Sequence, residues 1–361
     1  MPGHPVVWLT GCMTPTTPPS PTLPHSQPAA RTAGSAARLT DAIALIGGVR
    51  GALRSGLLEA LWRWQPCTTA EIATRAHLSE RTVELTLSAL AVADVVVQDA
   101  DGRWELTAPP EAWALLVGFE ENICRFVESG AATRADGDDR YTGILPVIGR
   151  FHDHMAEQMA PLLARRNARL LELGAGTAPW SRALLAIDPT MTALAVDLPP
   201  VIDQLEHSLR DSALAPRLAT LAHDVRSLEI AERFDVIVVS GLSRLLGEAD
   251  NARLFARCFD LLAPDGRLVI CDAFAGSDDP DGSLALYALG LAARSRAEAL
   301  WSARDYERWL EDAGFTTAAI VLAERPGMTA LIAATSPQPY LLGLSAEFTP
   351  GTHPRPHLPT R

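Results

Sequence analysis

The chain has 361 residues, 48% of them apolar, which allows two ordinary domains with cores of their own. Its formal charge of −12 disfavours nucleic acid or an anionic membrane as a main partner. All 31 basic residues are Arg, so a phosphate-loop lysine, a pyridoxal Schiff base and a lysine general base are excluded.

Residues 1–36 are rich in Pro, Thr, Ser and Ala and read as a disordered leader, with Met13 as an alternative start. The opening residues lack the basic-then-apolar pattern of a signal peptide, and no run approaches the ~20 apolar residues of a membrane span. The five cysteines (Cys12, Cys67, Cys124, Cys258, Cys271) are odd in number and never spaced as C-x-x-C. That usage predicts reduced thiols in a cytoplasmic protein, with neither a disulfide framework nor a metal site.

Order is expected from about Arg38, where Leu39, Ile43 and Ile46, then Leu53, Leu57, Leu58 and Leu61, recur at helical spacing. Thr68 with Glu71 three residues on predicts a capped helix start, and Ser79 predicts another ahead of Val83, Leu87 and Leu90. Val95–Val97, a turn at Asp101-Gly102, and Trp104–Leu106 predict a hairpin. Helices plus hairpin make residues 37–110 a winged-helix-like, mainly α-helical unit. Such a unit either reads DNA or serves as a dimerisation scaffold. Residues 38–110 carry a net charge of −2, and the helix after Ser79 has no basic stripe, which favours the scaffold and a homodimer.

Residues 111–166 read as a helical connector and acceptor-pocket wall, broken by a loop from Gly130 to Arg140. From Arg169 the pattern becomes short apolar strands alternating with helices. Strands are expected near 169–173, 192–197, 217–223, 234–240, 266–272, 316–323 and 329–335, with a turn at Glu324–Gly327. This predicts an α/β domain over 167–335, its sheet mostly parallel and closed by an antiparallel C-terminal edge hairpin. The Pro-rich stretch 336–361 reads as a tail.

The strongest motif is Leu170–Trp180, a buried strand entering a turn with Gly174 and Gly176 and then a helix with Pro179 in its first turn. Glycine suits a sharp turn that a ligand approaches closely, and amides at a helix start hold anionic groups. Pro179 stands where a dinucleotide fingerprint would want glycine, which argues against NAD. Asp197 ends the second strand, where an acid accepts hydrogen bonds from ribose hydroxyls. Asp224 ends the third, where a carboxylate can accept from an adenine amino group. Three polar features at successive strand ends suit an adenosine ligand, although each acid alone would pass for an ordinary loop residue.

The runs Glu172–Thr177, Val196–Ile202, Leu261–Leu268 and Tyr306–Phe315 resemble the small-molecule O-methyltransferases that carry an N-terminal dimerisation domain. The resemblance covers about residues 38–335 and implies a Rossmann-like seven-stranded methyltransferase sheet and S-adenosyl-L-methionine as cofactor. It further implies cofactor contacts from Glu172, Gly174, Ala175, Gly176, Asp197, Leu198, Asp224 and Val225, with Ser240 beside the transferring methyl.

One departure matters. The family commonly places a histidine base shortly after the fourth strand, and here Arg244 stands in its place. Arginine stays protonated and cannot accept a proton. Three readings follow: an acceptor acidic enough to need no base, a base at His152 or His154, or Arg244 as a binder of a substrate carboxylate or phosphate. A surface arginine is the plain alternative. His152 and His154 lie on different helix faces and form no metal site. Phe119, Phe126, Phe151, Met155, Met159 and Tyr287 are candidate pocket walls, or plain core. The expected activity is methyl transfer to an oxygen, or to nitrogen or carbon, of a small apolar or aromatic natural-product intermediate. A cofactor-binding relative performing decarboxylation, hydroxylation or cyclisation is the alternative, and a winged-helix regulator the third class.

Overall fold

The computed structural model describes residues 7–9, 28–132, 140–276, 283–294, 299–324 and 328–336. The chain divides into two compact units, residues 14–152 with 293–295, and residues 1–13, 153–292 and 296–361. Strand β1 (Val7–Leu9) belongs to the second of these.

The first unit opens with α1 (Pro28–Arg54), α2 (Leu57–Trp64), α3 (Thr69–Ala76) and α4 (Glu80–Ala91). An antiparallel hairpin of β2 (Val96–Gln98) and β3 (Trp104–Leu106) follows, then α5 (Pro110–Ser129) and α6 (Arg140–Ile148). Thr68 and Glu71 form the reciprocal capping box: the Glu71 amide donates to Thr68 Oγ1 at 3.3 Å, and the Thr68 amide donates to Glu71 Oε2 at 2.8 Å. Ser79 caps α4 by accepting from the Thr82 amide at 3.1 Å. Leu57, Leu58, Leu61, Ile72, Val83, Leu87 and Leu90 fill the core beneath the hairpin's Trp104 and Leu106.

The second unit takes up α7 (Arg150–Leu163) from Asp153 onward, then β4 (Arg169–Leu173), α8 (Pro179–Ile187), β5 (Thr192–Asp197), α9 (Pro199–Leu209) and β6 (Leu218–Ala222). Next come β7 (Phe234–Ser240), α10 (Glu248–Leu261), β8 (Leu262–Ala275), α11 (Ser283–Arg294) and β9 (Trp301–Ser302). The described part ends with α12 (Ala303–Ala313), β10 (Thr317–Glu324) and β11 (Met328–Ala334). The sheet order is β1-β10-β11-β8-β7-β4-β5-β6, with β9 paired to β8. Among these strands only β11 runs against the rest, being antiparallel to both β10 and β8.

Side chains of the central strands alternate between two cores, as a two-residue period requires when helices cover both faces. Leu170, Val236 and Val238 pack with Met155, Trp180 and Leu184 on one face. Leu171, Ile237 and Val239 pack with Phe255, Tyr306 and Trp309 on the other. The helices therefore change face at the β4–β7 boundary. An open α/β sheet of this kind binds ligands in the crevice at such a switch point, beyond the carboxyl ends of its strands.

Three expectations need correction. Inside the expected disordered leader, Val7–Leu9 pairs in parallel with β10, and α1 opens at Pro28. The Ala-rich run after Pro28 has helix propensity that the surrounding prolines mask in a composition reading. The expected connector 111–166 is also not one piece. Ala112, Trp113 and Val147 join the first unit's core, whereas Met155, Ala156, Met159, Ala160 and Leu163 lie in the core against the sheet. Finally, β8 begins at Leu262, four residues earlier than expected, with a register irregularity opposite Phe234 and Val236. The expected turn at 325–327, most of the loop 130–140 and the tail beyond 336 lie outside the described residues.

Candidate functional site

The turn after β4 leaves the ordinary backbone regions at three alternate residues: φ is 67° at Gly174, 55° at Gly176 and 57° at Ala178. Amides of Gly174 and Ala175 donate to the Val196 carbonyl at 2.9 and 3.1 Å, which ties the turn to β5. A Cβ at Gly174 would sit 3.1 Å from a methyl of Leu242, so glycine is required there by both conformation and space. The same contact brings the segment after β7 against the glycine turn. Gly174→Ala is expected to cost about 1–2 kcal/mol of stability from the left-handed backbone alone. Urea unfolding of the variant beside the wild type reads this loss.

Two carboxylates fix this turn from within. Glu172, 1% exposed, accepts from the Trp180 amide at 3.2 Å, the Ser181 amide at 2.8 Å and Ser181 Oγ at 2.5 Å. It therefore anchors the start of α8, a favourable place for negative charge. Burial nevertheless pushes its carboxyl up to about 7. Both oxygens of Glu172 serve the helix start, so the carboxylate holds the turn and the first residues of α8 together. Asp197 accepts from the Gly176 amide at 2.8 Å through one oxygen and from the Leu198 amide at 2.7 Å through the other. Burial raises its carboxyl too, against the lowering effect of these two amides.

Asp224 caps a short 3-10 turn (Val225–Ser227) and accepts from the Arg226 amide at 2.9 Å. Arg226 also clasps both its oxygens, with contacts of 3.0, 3.0 and 2.6 Å. That hydrogen-bonded clasp holds the carboxyl below the usual range. Asp224 is thus an acid shared with a neighbouring cation rather than the bare acceptor expected. Val225 beside it is half-buried, and Leu198 is 47% exposed.

On the other side of β4, Ser240 ends β7 opposite Cys271 of β8, and Arg244 lies in the 3-10 turn Ser243–Leu245. Its side chain is 12% exposed, so the surface reading is wrong. Arg244 Nη1 donates to Asp272 Oδ1 at 3.0 Å and its amide to Asp272 Oδ2 at 3.3 Å. The guanidinium lies 5.6 Å from the centre of the Tyr287 ring. Neighbouring backbone is pinned by Trp301 Nε1, which donates to the Ser243 carbonyl at 3.0 Å, and by Asn251 Nδ2, which donates to the same carbonyl at 2.9 Å.

Sequence reasoning missed Asp272 and Ser181. Asp272 had a signal: a lone acid within the apolar run Leu268–Phe274 must be partnered if that strand is buried. Ser181 had none, since a serine in the first turn of a helix is ordinary. Of the proposed pocket walls, Met155 and Met159 are corrected to core, each 1% exposed against the sheet. Methionine serves there as filler. Phe119 and Phe126 are half-buried on α5 in the first unit, and the side chain of Phe151 lies outside the described residues. His152 falls in the first unit, while His154 falls in the second, exposed and 2.7 Å from Gln158. The structure does not bring the two into one cluster. Among the described residues there is no group of three His, Cys, Asp or Glu able to hold a metal, and no helix long and apolar enough to cross a membrane.

Residues 149–320 match a family model described as a methyltransferase domain. A 3-hydroxy-5-methyl-1-naphthoate 3-O-methyltransferase of Streptomyces sahachiroi is 24% identical over 311 residues, covering 78% of this chain and 89% of the relative. An L-tyrosine C(3)-methyltransferase of Streptomyces lavendulae is 23% identical over 320 residues, covering 78% and 86%. The human N-acetylserotonin methyltransferase, solved in complex with S-adenosylmethionine, superposes with a TM-score of 0.61 at 13% identity. That likeness covers 87% of this chain and all of that one, and it speaks for the fold alone. Glycine turn, strand order, reversed β11 and matched segment agree: residues 149–320 are similar to a methyltransferase domain, and the chain has the Rossmann-like methyltransferase fold.

Proposed function

We propose that the protein transfers the methyl group of S-adenosylmethionine to an oxygen of a small aromatic natural-product intermediate, with nitrogen or carbon as the other candidate acceptor atoms. The observation that carries this is the glycine turn fixed by Glu172 and Asp197 at the ends of adjacent strands, lying against Leu242. The residues present fit the cofactor: a glycine turn with positive φ at Gly174 and Gly176, and an Asp197 carboxylate held in place by two amides. In this reading Gly174, Ala175 and Gly176 line the amino-acid end of the cofactor. Asp197, with lone pairs to spare beyond its two amide bonds, accepts from ribose hydroxyls, with Leu198 alongside. Asp224 with Arg226, and Val225, flank the adenine, and Ser240 lies toward the reacting end. The bound cofactor supplies an electrophilic methyl group, and the protein's part is to hold and orient.

The relatives named above act on a naphthoate and on tyrosine, which supports an aromatic acceptor. Calorimetry should detect binding of S-adenosylmethionine and of its demethylated product. Labelled cofactor incubated with extracts of the producing cell should then mark a metabolite of higher mass. No heat with either nucleoside on folded protein would sink the proposal. Binding without any methylated product would favour the second reading, a non-methylating relative, for which the Arg244–Asp272 pair in place of a base is the supporting observation.

The chain further acts as a homodimer of a cytoplasmic enzyme in this reading. Leu39, Ile43 and Ile46 fall at i, i+4 and i+7 on α1, and are 64%, 63% and 37% exposed. A second copy presenting the same stripe would bury it, as a two-fold interface does. Among the described residues, Cys67, Cys124, Cys258 and Cys271 are not joined in disulfides, as a reducing compartment allows. Ile43→Asp is expected to shift the protein from dimer to monomer in sedimentation. A monomeric wild type would refute the dimer.

A further inference from the structure

The turn after β7 is held from α10 by one side chain. Asn251, in the first turns of that helix and 0% exposed, donates through Nδ2 to the Ser243 carbonyl at 2.9 Å and to the Leu246 carbonyl at 3.1 Å. Those two carbonyls bracket the 3-10 turn Ser243–Leu245. The donor end of the amide is thus spent on one short segment, while its Oδ1 is buried with no hydrogen-bond partner among the described residues. An amide buried with one end unserved costs stability, so stability alone does not account for it. The place of the turn does. Asn251 is itself fixed, its backbone amide donating to the Gly247 carbonyl at 3.0 Å as α10 begins. Phe255, one helical turn on, is packed in the core against Tyr306 and Trp309. Helix, amide and turn therefore form a continuous strut that leads to Leu242. Three carbons of Leu242 stand 3.1, 3.2 and 3.3 Å from where a Cβ on Gly174 would be. The glycine turn is thereby held at two places, by this side chain and by the Gly174 and Ala175 amides on the Val196 carbonyl of β5.

We infer that Asn251 is a positioning residue for the cofactor: by holding the turn after β7 it seats Leu242 on Gly174 and keeps the glycine turn in the conformation that binds. The inference rests on the methyltransferase reading above and adds a residue that acts on the ligand only through another. A backbone turn fixed in advance pays less ordering cost when its ligand arrives, which is where the affinity comes from.

The test is calorimetry with S-adenosylhomocysteine on the full chain, arranged as a double-mutant cycle. Asn251→Ala should weaken binding about 10-fold, the scale of two lost hydrogen bonds. In a Leu242→Ala background the same change should cost less than about 2-fold, because the contact it serves is already gone. Phe255→Leu, on the same helix, is the control for packing alone: it should lower the urea midpoint yet leave the affinity within about 2-fold. If Asn251→Ala does not fold, Asn251→Asp, of the same shape but with at most one hydrogen to donate, carries the same expectation. An unchanged affinity in the Asn251 variant, an equal loss in Phe255→Leu, or an equal loss with and without Leu242 would each overturn the inference. Failure of S-adenosylhomocysteine to bind the wild type would instead overturn the methyltransferase reading.

Discussion

Asp272→Ala is expected to lower the unfolding free energy by about 3–5 kcal/mol, the usual penalty for stranding one partner of a buried ion pair. The wild-type pair is shielded on both sides, 12% and 1% exposed, so solvent cannot replace the lost carboxylate without the guanidinium moving. Phe274, two residues along β8, stacks on Tyr306 with ring centres 4.3 Å apart, which limits that movement. Denaturant unfolding of Asp272→Ala, and of the charge-free double variant Arg244→Gln with Asp272→Asn beside it, separates the effects. The double variant should recover most of the loss, because replacing a buried pair by neutral groups is often close to neutral. An Asp272→Ala protein within 1 kcal/mol of wild type would mean that the pair is not enclosed as described.

Much of the second unit was legible because its signals are local and repeated. Arg169–Leu173, Thr192–Asp197 and Phe234–Ser240 begin and end where the apolar runs do, since each strand is buried on both faces and flanked by turn residues. The caps at Thr68 and Ser79 were equally readable, a side-chain oxygen followed at a fixed offset by its partner. The pairing across long sequence distance was not. Arg244 and Asp272 are 28 residues apart, and nothing local to either names the other. Likewise, Glu172 stands in a motif that resembles a cofactor contact, yet the amides it serves, at 180 and 181, follow from how α8 leaves the turn. A resemblance assigns roles to positions; only the hydrogen-bond partners show which groups are already spent.

Glu172 also sets the second large effect, a pH dependence with a definite sign. Burial raises its carboxyl from the usual 4.5 to about 7. Between those values the folded apo protein holds a proton that the unfolded chain has released, so the folded state is favoured at the acid end. That contribution is lost as pH rises through about 7, and it amounts to about 3 kcal/mol at 1.36 kcal/mol per pH unit. Asp197, also raised by burial, adds a slope of the same sign. Urea unfolding of the apo protein at pH 5 and pH 8 should therefore show a decline attributable to this cluster, and Glu172→Gln, which has no proton to lose, should flatten it. An equal slope in the variant would place the pH dependence elsewhere. Bound cofactor bears on the same balance, because its positively charged groups near the turn would favour the ionised carboxylates. The apo protein's loss at neutral pH is then the cost of holding two buried acids ready for a cationic ligand, and the gap in stability between apo and cofactor-saturated protein should widen as pH rises from 5 to 8.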